Sequence, residues 1–138
     1  MDLQDTMKAA GEAFGVGDLE KALNLFDDAA GMSQVPKVLC IILTNKAATL
    51  QRLGRNEEAI DVLTEALSHD PEYVPALFNK GVVLRGLSKF EDASAVFDSV
   101  LSIQEKNYQA LCGKAETLCS LGKFEEALGF ADRAIAVD

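Results

Sequence analysis

Leu43, Leu77 and Leu111 stand 34 residues apart, and the same step links Lys46, Lys80 and Lys114. It also links Leu50, Leu84 and Leu118, then Leu53, Leu87 and Leu121, then Ala59, Ala93 and Ala127. Gly54 and Gly122 align across two steps with Ser88 between them, and Phe90 and Phe124 align with Asn56. So many columns at one period, with no insertion between them, define an internal repeat. Each unit of such a chain buries its apolar face only by stacking on a neighbour.

Every period contains two helical patterns. Leu77, Gly81, Leu84 and Leu87 recur at three- and four-residue steps, and Phe90, Ala93, Phe97, Val100 and Leu101 do so again. The breaks between them are short: Gly54-Arg55-Asn56, Ser88-Lys89 and Gly122-Lys123. Glycine after a helix takes the left-handed conformation that satisfies the last carbonyls, and Ser88 is the weaker stop. Asp70-Pro71-Glu72 reads as a helix start, with Asp70 accepting from open amides and Pro71 at the first helical position. The predicted helices run to about 12 to 15 residues, a length marginal alone in water. The first unit diverges. Gly17-Asp18-Leu19-Glu20-Lys21-Ala22-Leu23 matches Gly122-Lys123-Phe124-Glu125-Glu126-Ala127-Leu128, yet Ala22 lies 37 residues before Ala59. Three extra residues near Pro36-Lys37-Val38 therefore lengthen the following helix at its start or form a longer loop.

A helix-turn-helix of this period resembles the tetratricopeptide repeat family. The residues that carry the likeness are Ala47, Gly81 and Ala115 in the first helix of each pair, and Ala59, Ala93 and Ala127 in the second. Ala66 and Ala134 follow, with Val100 in that place in the third unit. The proline that usually closes a unit is present as Pro71 and becomes Glu105 one unit later, while Leu43, Leu77 and Leu111 replace the family's aromatic. The resemblance spans essentially the whole chain. It implies an all-α, right-handed superhelical solenoid of about eight helices, forming a single repeat domain over residues 1–138. Its units are about 3–36, 40–73, 74–107 and 108–138.

Composition removes several functions. The 22 acidic and 13 basic residues give a net charge of −9, which repels phosphate backbones and anionic lipid. No nucleic acid or membrane partner is expected. Cys40, Cys112 and Cys119 are odd in number and His69 is the one histidine, so no zinc set can be assembled and no metal or cofactor is expected. Cys112 and Cys119 would sit about 10 Å apart on one helix face, beyond disulfide reach, which points to free thiols in a reducing compartment. Met1 to Asp5 lacks a secretion signal, and the longest apolar run, Val38 to Leu43, is too short to span a bilayer. A cytoplasmic location is the expectation.

The resemblance also implies a concave side lined by the first helix of each pair. It places Gln4, Met7, Lys8, Gly11 and Phe14 there, then Ile41, Thr44, Asn45, Ala48 and Arg52. Pro75, Phe78, Asn79, Val82 and Arg85 follow, then Gln109, Cys112, Gly113, Glu116 and Cys119. Asn45 and Asn79 share a column, and an amide suits pairing with the backbone of an extended peptide; hydrogen bonds to neighbouring helices or water are the other reading. Met7, Phe14, Ile41, Phe78 and Val82 are candidate apolar contacts for such a peptide, and helix packing explains them equally well. Arg52 and Arg85 are candidates for meeting an acidic group, or are simply solvated. Some adaptors of this family clamp an acidic carboxy terminus with lysines, an arginine and asparagines. The corresponding columns here read Met7, Gly11, Asn45, Pro75 and Asn79, or Thr44, Ala48, Asn79, Gln109 and Gly113, so that clamp is absent.

The lysine column reads as structural, since long aliphatic stems cover apolar surface. Glu57-Glu58, Glu91-Asp92 and Glu125-Glu126 answer the helix dipole in the first turn of each second helix. His69 reads as a cap or partly buried filler. No nucleophile, base or phosphate-binding set is visible, so no enzymatic activity is expected. The expectation is a scaffold or adaptor that binds a peptide segment or helix of an unidentified protein partner. The alternatives are a regulatory repeat segment of a larger enzyme and a structural self-association module. A last helix over about residues 124–137 should carry Leu128, Ala131, Ala134 and Ile135 on a face without a capping helix. That face implies either a fragment of a longer repeat protein or pairing with another copy.

Overall fold

A left-handed residue ends the first helix of every pair: Gly17 at φ 84°, Gly54 at 78°, Ser88 at 61° and Gly122 at 77°. The amide after each of them reaches back to close the helix. Asp18, Arg55, Lys89 and Lys123 each donate at 2.9 Å, to the carbonyls of Ala13, Leu50, Leu84 and Leu118. The same hairpin is therefore cut four times, and three of the four copies use the residue with no Cβ to strain.

In the computed structural model, which describes residues 1–137, eight helices and no strand occur among the described residues. They are α1 (Leu3–Gly15), α2 (Leu19–Ala30), α3 (Pro36–Arg52), α4 (Asn56–His69), α5 (Val74–Gly86), α6 (Phe90–Ile103), α7 (Tyr108–Ser120) and α8 (Phe124–Ala136). The chain divides into two compact units, Met1–Ala76 and the part from Leu77 onward. Within the first, α2 packs on both α1 and α3, and α3 on α4. Within the second, α7 packs on both α6 and α8. No helix is long and apolar enough to cross a membrane among the described residues.

The alanine columns are the inside of each hairpin. Ala22, Ala59 and Ala93 are fully buried, and Ala127 nearly so. Ala29, Ala66, Val100 and Ala134 repeat the pattern two turns later. The insertion in the first unit lengthens α3 at its start, giving it 17 residues where α5 and α7 have 13. Pro36 stands at its first turn, where a missing amide costs nothing.

Asp70-Pro71-Glu72 does not start a helix. Asp70 ends α4, and its carbonyl accepts from Tyr73 at 3.2 Å while its side chain accepts from the Glu72 amide at 3.2 Å. Proline at the second position of that turn fixes its φ, and α5 begins only at Val74. Gln104 to Asn107 closes the same turn without a proline. There the Asn107 side chain caps α7 by accepting from Ala110 at 2.9 Å.

The second unit is keyed by one aromatic ring. Phe97 on α6 is fully buried, and a Cβ added at Gly113 of α7 would lie 2.7 Å from it. One added at Gly81 of α5 would lie 2.8 Å from the same ring. Phe78 leans on it at 5.9 Å between centroids. The lysine column is structural at two of its places. Lys46 on α3 pairs with Asp27 on α2 at 2.7 Å, and Lys114 on α7 pairs with Asp98 on α6 at 2.8 Å. Lys114 is buried, and its ammonium also donates to Ser94 at 2.6 Å and lies 5.5 Å from the Phe130 ring centroid.

Three substitutions separate these contributions by sign. Gly113→Ala should destabilise by about 1–3 kcal/mol, because overpacking against Phe97 outweighs the helix propensity gained. Gly11→Ala, whose Cβ meets nothing within 4 Å, should stabilise by about 0.5–1 kcal/mol. Ser88→Gly should gain about 0.5–1 kcal/mol by relieving a left-handed conformation that costs about 1–2 kcal/mol with a side chain. Urea denaturation of the three variants reads all of these shifts.

Candidate functional site

The face of an α-helix that is not needed for packing is free to carry function, and each unit shows an open cleft on such faces. In the first unit, Met7, Gly11 and Phe14 are spaced along α1, and Asn45 and Ala48 approach from α3. Phe26 of α2 closes the floor, leaving a cavity of about 190 Å³. Met7 and Phe14 are half-buried against the core of Ala10, Ala13, Ala22 and Phe26, so they pack and line the cleft at once. Gly11 leaves the wall open. The Asn45 side chain is exposed, with no hydrogen-bond partner in the protein among the described residues. At the end of α3, the Arg52 guanidinium lies 4.7 Å from the centroid of the Phe14 ring and donates to the Phe14 carbonyl at 3.2 Å.

The second unit has a similar cavity of about 190 Å³ between α5 and α7, lined among others by Phe78, Val82, Arg85, Tyr108, Cys112 and Glu116. Its chemistry differs. Arg85 is ion-paired with Glu116, so its charge is answered within the protein. The exposed Tyr108 hydroxyl is held above the usual phenol range by its hydrogen bond to Cys112 and by that thiol's charge.

The candidate residues thus fall into separate places. Met7, Phe14 and Asn45 come together in the first cleft, with Arg52 stacked on Phe14. Phe78, Val82 and Arg85 come together in the second. Asn79 is half-buried on α5 and does not line that cavity, and Ile41 is exposed on α3 outside the first. Thr44, placed on the inner face by the resemblance, is instead buried, its hydroxyl donating to the Cys40 carbonyl at 2.7 Å. Gly113 lines the second cleft and is also the seat of Phe97. Phe26 and Tyr108 were not among the candidates. Phe26 sits on a second helix and follows the core period, and Tyr108 is the first residue of α7.

On α8, Phe124, Leu128 and Ile135 are 67%, 63% and 80% exposed. They follow each other at steps of four and seven and form one apolar strip, with half-buried Ala131 within it. Ala134, expected on the same strip, is 4% exposed and belongs to the core.

Helix-turn-helix pairs at a fixed period, with open clefts between successive first helices, define a helical-repeat interaction module. Residues 50–114 match the family model of the tetratricopeptide repeat, so that segment carries tetratricopeptide repeats. No curated protein matches the sequence. Among solved structures, MamA from Desulfovibrio magneticus RS-1 superposes with a TM-score of 0.87 at 19% identity, over 99% of this chain and 75% of that one. A tetratricopeptide repeat protein from Parabacteroides merdae ATCC 43184 gives 0.89 at 20% identity, over 99% of this chain and 53% of that one. At such identities the likeness is one of fold.

The Cys40 thiol and the Tyr73 phenol of the first unit give a pH dependence with a definite sign. Burial pushes the Cys40 thiol up, and nearby Asp70 adds to the shift. Burial likewise raises Tyr73, with Cys40 and Asp70 adding to it. An acid whose folded pKa is raised contributes stability that is full below its unfolded value and is lost as pH climbs through the folded value. The urea midpoint should therefore fall above about pH 8.5, the ordinary thiol range. Cys40→Ala should flatten that fall.

Proposed function

We propose that the chain is a non-enzymatic adaptor that holds an extended peptide segment of a partner protein. The first unit's cleft takes one apolar side chain of that segment. The observation that carries this reading is the cleft's combination of size and lining. At about 190 Å³ it is smaller than the ~300–1,000 Å³ typical of small-molecule and cofactor sites, and it suits a single side chain. Met7, Phe14 and Phe26 supply apolar contact, and the exposed Asn45 amide offers a donor and an acceptor to the peptide backbone beside it. The fold supports this reading, since it is that of a protein-interaction scaffold. The adaptor works in a reducing, cytoplasmic compartment, a reading supported by free Cys40, Cys112 and Cys119.

Filling the cleft tests the proposal without breaking the fold. Gly11 is exposed with nothing within 4 Å of a Cβ, so Gly11→Leu should occupy the cavity and raise helix propensity together. Peptides selected on the wild-type protein from a display library should lose at least about tenfold in affinity for Gly11→Leu, about 1.4 kcal/mol. The urea midpoint should not fall. Unchanged affinity would remove the cleft as the site.

The α8 strip favours a second reading, self-association through that helix. Three large apolar side chains more than 60% exposed on one face are the kind of patch a partner covers. Sedimentation equilibrium should then show concentration-dependent association that Leu128→Glu abolishes. A monomer at all concentrations would reject it.

A further inference from the structure

The first unit's cleft has a positioned cation beside it. Arg52 is held twice over, by its stack on the Phe14 ring at 4.7 Å and by its 3.2 Å donation to the Phe14 carbonyl. Phe14 itself lines the cleft, so the guanidinium is tied to the cleft wall. A guanidinium has five N–H donors, and the Phe14 carbonyl occupies one. The side chain is exposed. Lys46, Arg55, Arg85 and Lys114 each pair with a carboxylate, whereas among the described residues no such pair includes Arg52.

We propose that this cleft selects an acidic peptide, one apolar side chain entering the cavity while a carboxylate one or two residues away is held by Arg52. The inference rests on the reading of the cleft as a peptide site and adds its specificity. In an extended peptide each residue advances about 3.3 Å, so side chains two apart on one face are separated by roughly 7 Å. The cleft wall and the guanidinium stacked on it are within that span. The planar fork donates to a carboxylate bidentately, with a strength and geometry that an amide cannot match. The stack on Phe14 holds the fork before the ligand arrives, so little side-chain freedom is lost on binding. In the second unit the Glu116 carboxylate already takes this place on Arg85, and that cleft carries no such preference.

The test is a random twelve-residue display library, panned on the wild-type protein and counter-panned on Gly11→Leu to keep only cleft-dependent sequences. Those sequences should carry Asp or Glu within two residues of an apolar anchor. Synthetic copies should bind about tenfold more tightly than their Gln or Asn analogues, and the advantage should shrink in 0.5 M salt. Arg52→Gln should bring the acid-to-amide ratio to about one. Arg52→Lys, which keeps the charge but not the fork, should fall between. Lys37→Gln removes an equal charge from α3 about 22 Å away and should leave the ratio intact. Apolar anchors without neighbouring acids, or an acid preference that survives Arg52→Gln or high salt, would overturn the selectivity while leaving the peptide site standing. If no selected sequence depends on an open cleft, the peptide site and its selectivity both fall. Should Arg52→Gln fail to fold, the salt series and Arg52→Lys still decide the matter.

Discussion

Everything in this molecule depends on backbones approaching closely enough for helices too short to persist alone to stabilise one another. The helices have 12 to 17 residues, near or below the length at which an isolated helix holds in water. Packing must make up the difference, and close packing requires small residues at fixed places. Ala22, Ala59, Ala93 and Ala127 meet that requirement inside the hairpins. Gly81 and Gly113 meet it more severely, because Phe97 occupies the space their side chains would need. Lys46–Asp27 and Lys114–Asp98 then tie a first helix to the second helix before it, at equivalent positions of the period. The half-exposed carboxylates in those pairs contribute register more than energy, since partly exposed ion pairs are worth about 0–1 kcal/mol.

One repeated scaffold yields two unlike clefts because the residues that stack are constrained and the residues that line are not. Met7, Phe14 and Phe26 make the first cleft apolar, with Asn45 and Arg52 the polar groups beside it. In the second, Arg85 and Glu116 satisfy each other. A self-satisfied polar lining must be broken before a ligand can use it, whereas among the described residues the Asn45 amide has no partner in the protein and Arg52 spends one donor on the Phe14 carbonyl. The difference lies in side chains on exposed helix faces, where a substitution leaves the hairpin geometry unchanged.

The same division explains what was legible in the sequence. The period, the paired helices and the left-handed stops follow from positions where stacking admits few residue types, whereas the three extra residues before Ala59 fitted a longer α3 or a longer loop alike. Met7, Phe14 and Asn45, and likewise Phe78, Val82 and Arg85, could be assigned to one face of the first helices through the resemblance to the tetratricopeptide repeat family. Asp70-Pro71 was misread because proline suits the second position of a turn as well as the first turn of a helix, and backbone hydrogen bonds to Glu72 and Tyr73 decide between them. Thr44 and Ala134 are buried through neighbouring helices that spacing within one helix does not reveal. Phe26 serves core and cleft at once, so its apolar period carried no sign of the second role. That Arg52 lies on Phe14, 38 positions earlier, is a tertiary contact with no local signature.

Charge distribution shows how a protein with a net charge of −9 can still favour an acidic ligand. The acids concentrate at the start of second helices, as at Glu57, Glu58, Glu91, Asp92, Glu125 and Glu126, where they complement the helix dipole. The first helices are poorer in them: α1 contains Asp5 and Glu12, α3 and α5 contain none, and α7 contains Glu116, which Arg85 neutralises. Packed helices lie about 8–10 Å apart, close to the Debye length of about 8 Å at physiological salt. Acids one helix away are therefore strongly screened, and the group in direct contact decides. At the first cleft that group is the Arg52 guanidinium held over the Phe14 ring. Long-range repulsion slows the approach of acidic and nucleic-acid partners alike, while short-range pairing rewards only a carboxylate that arrives beside an apolar anchor.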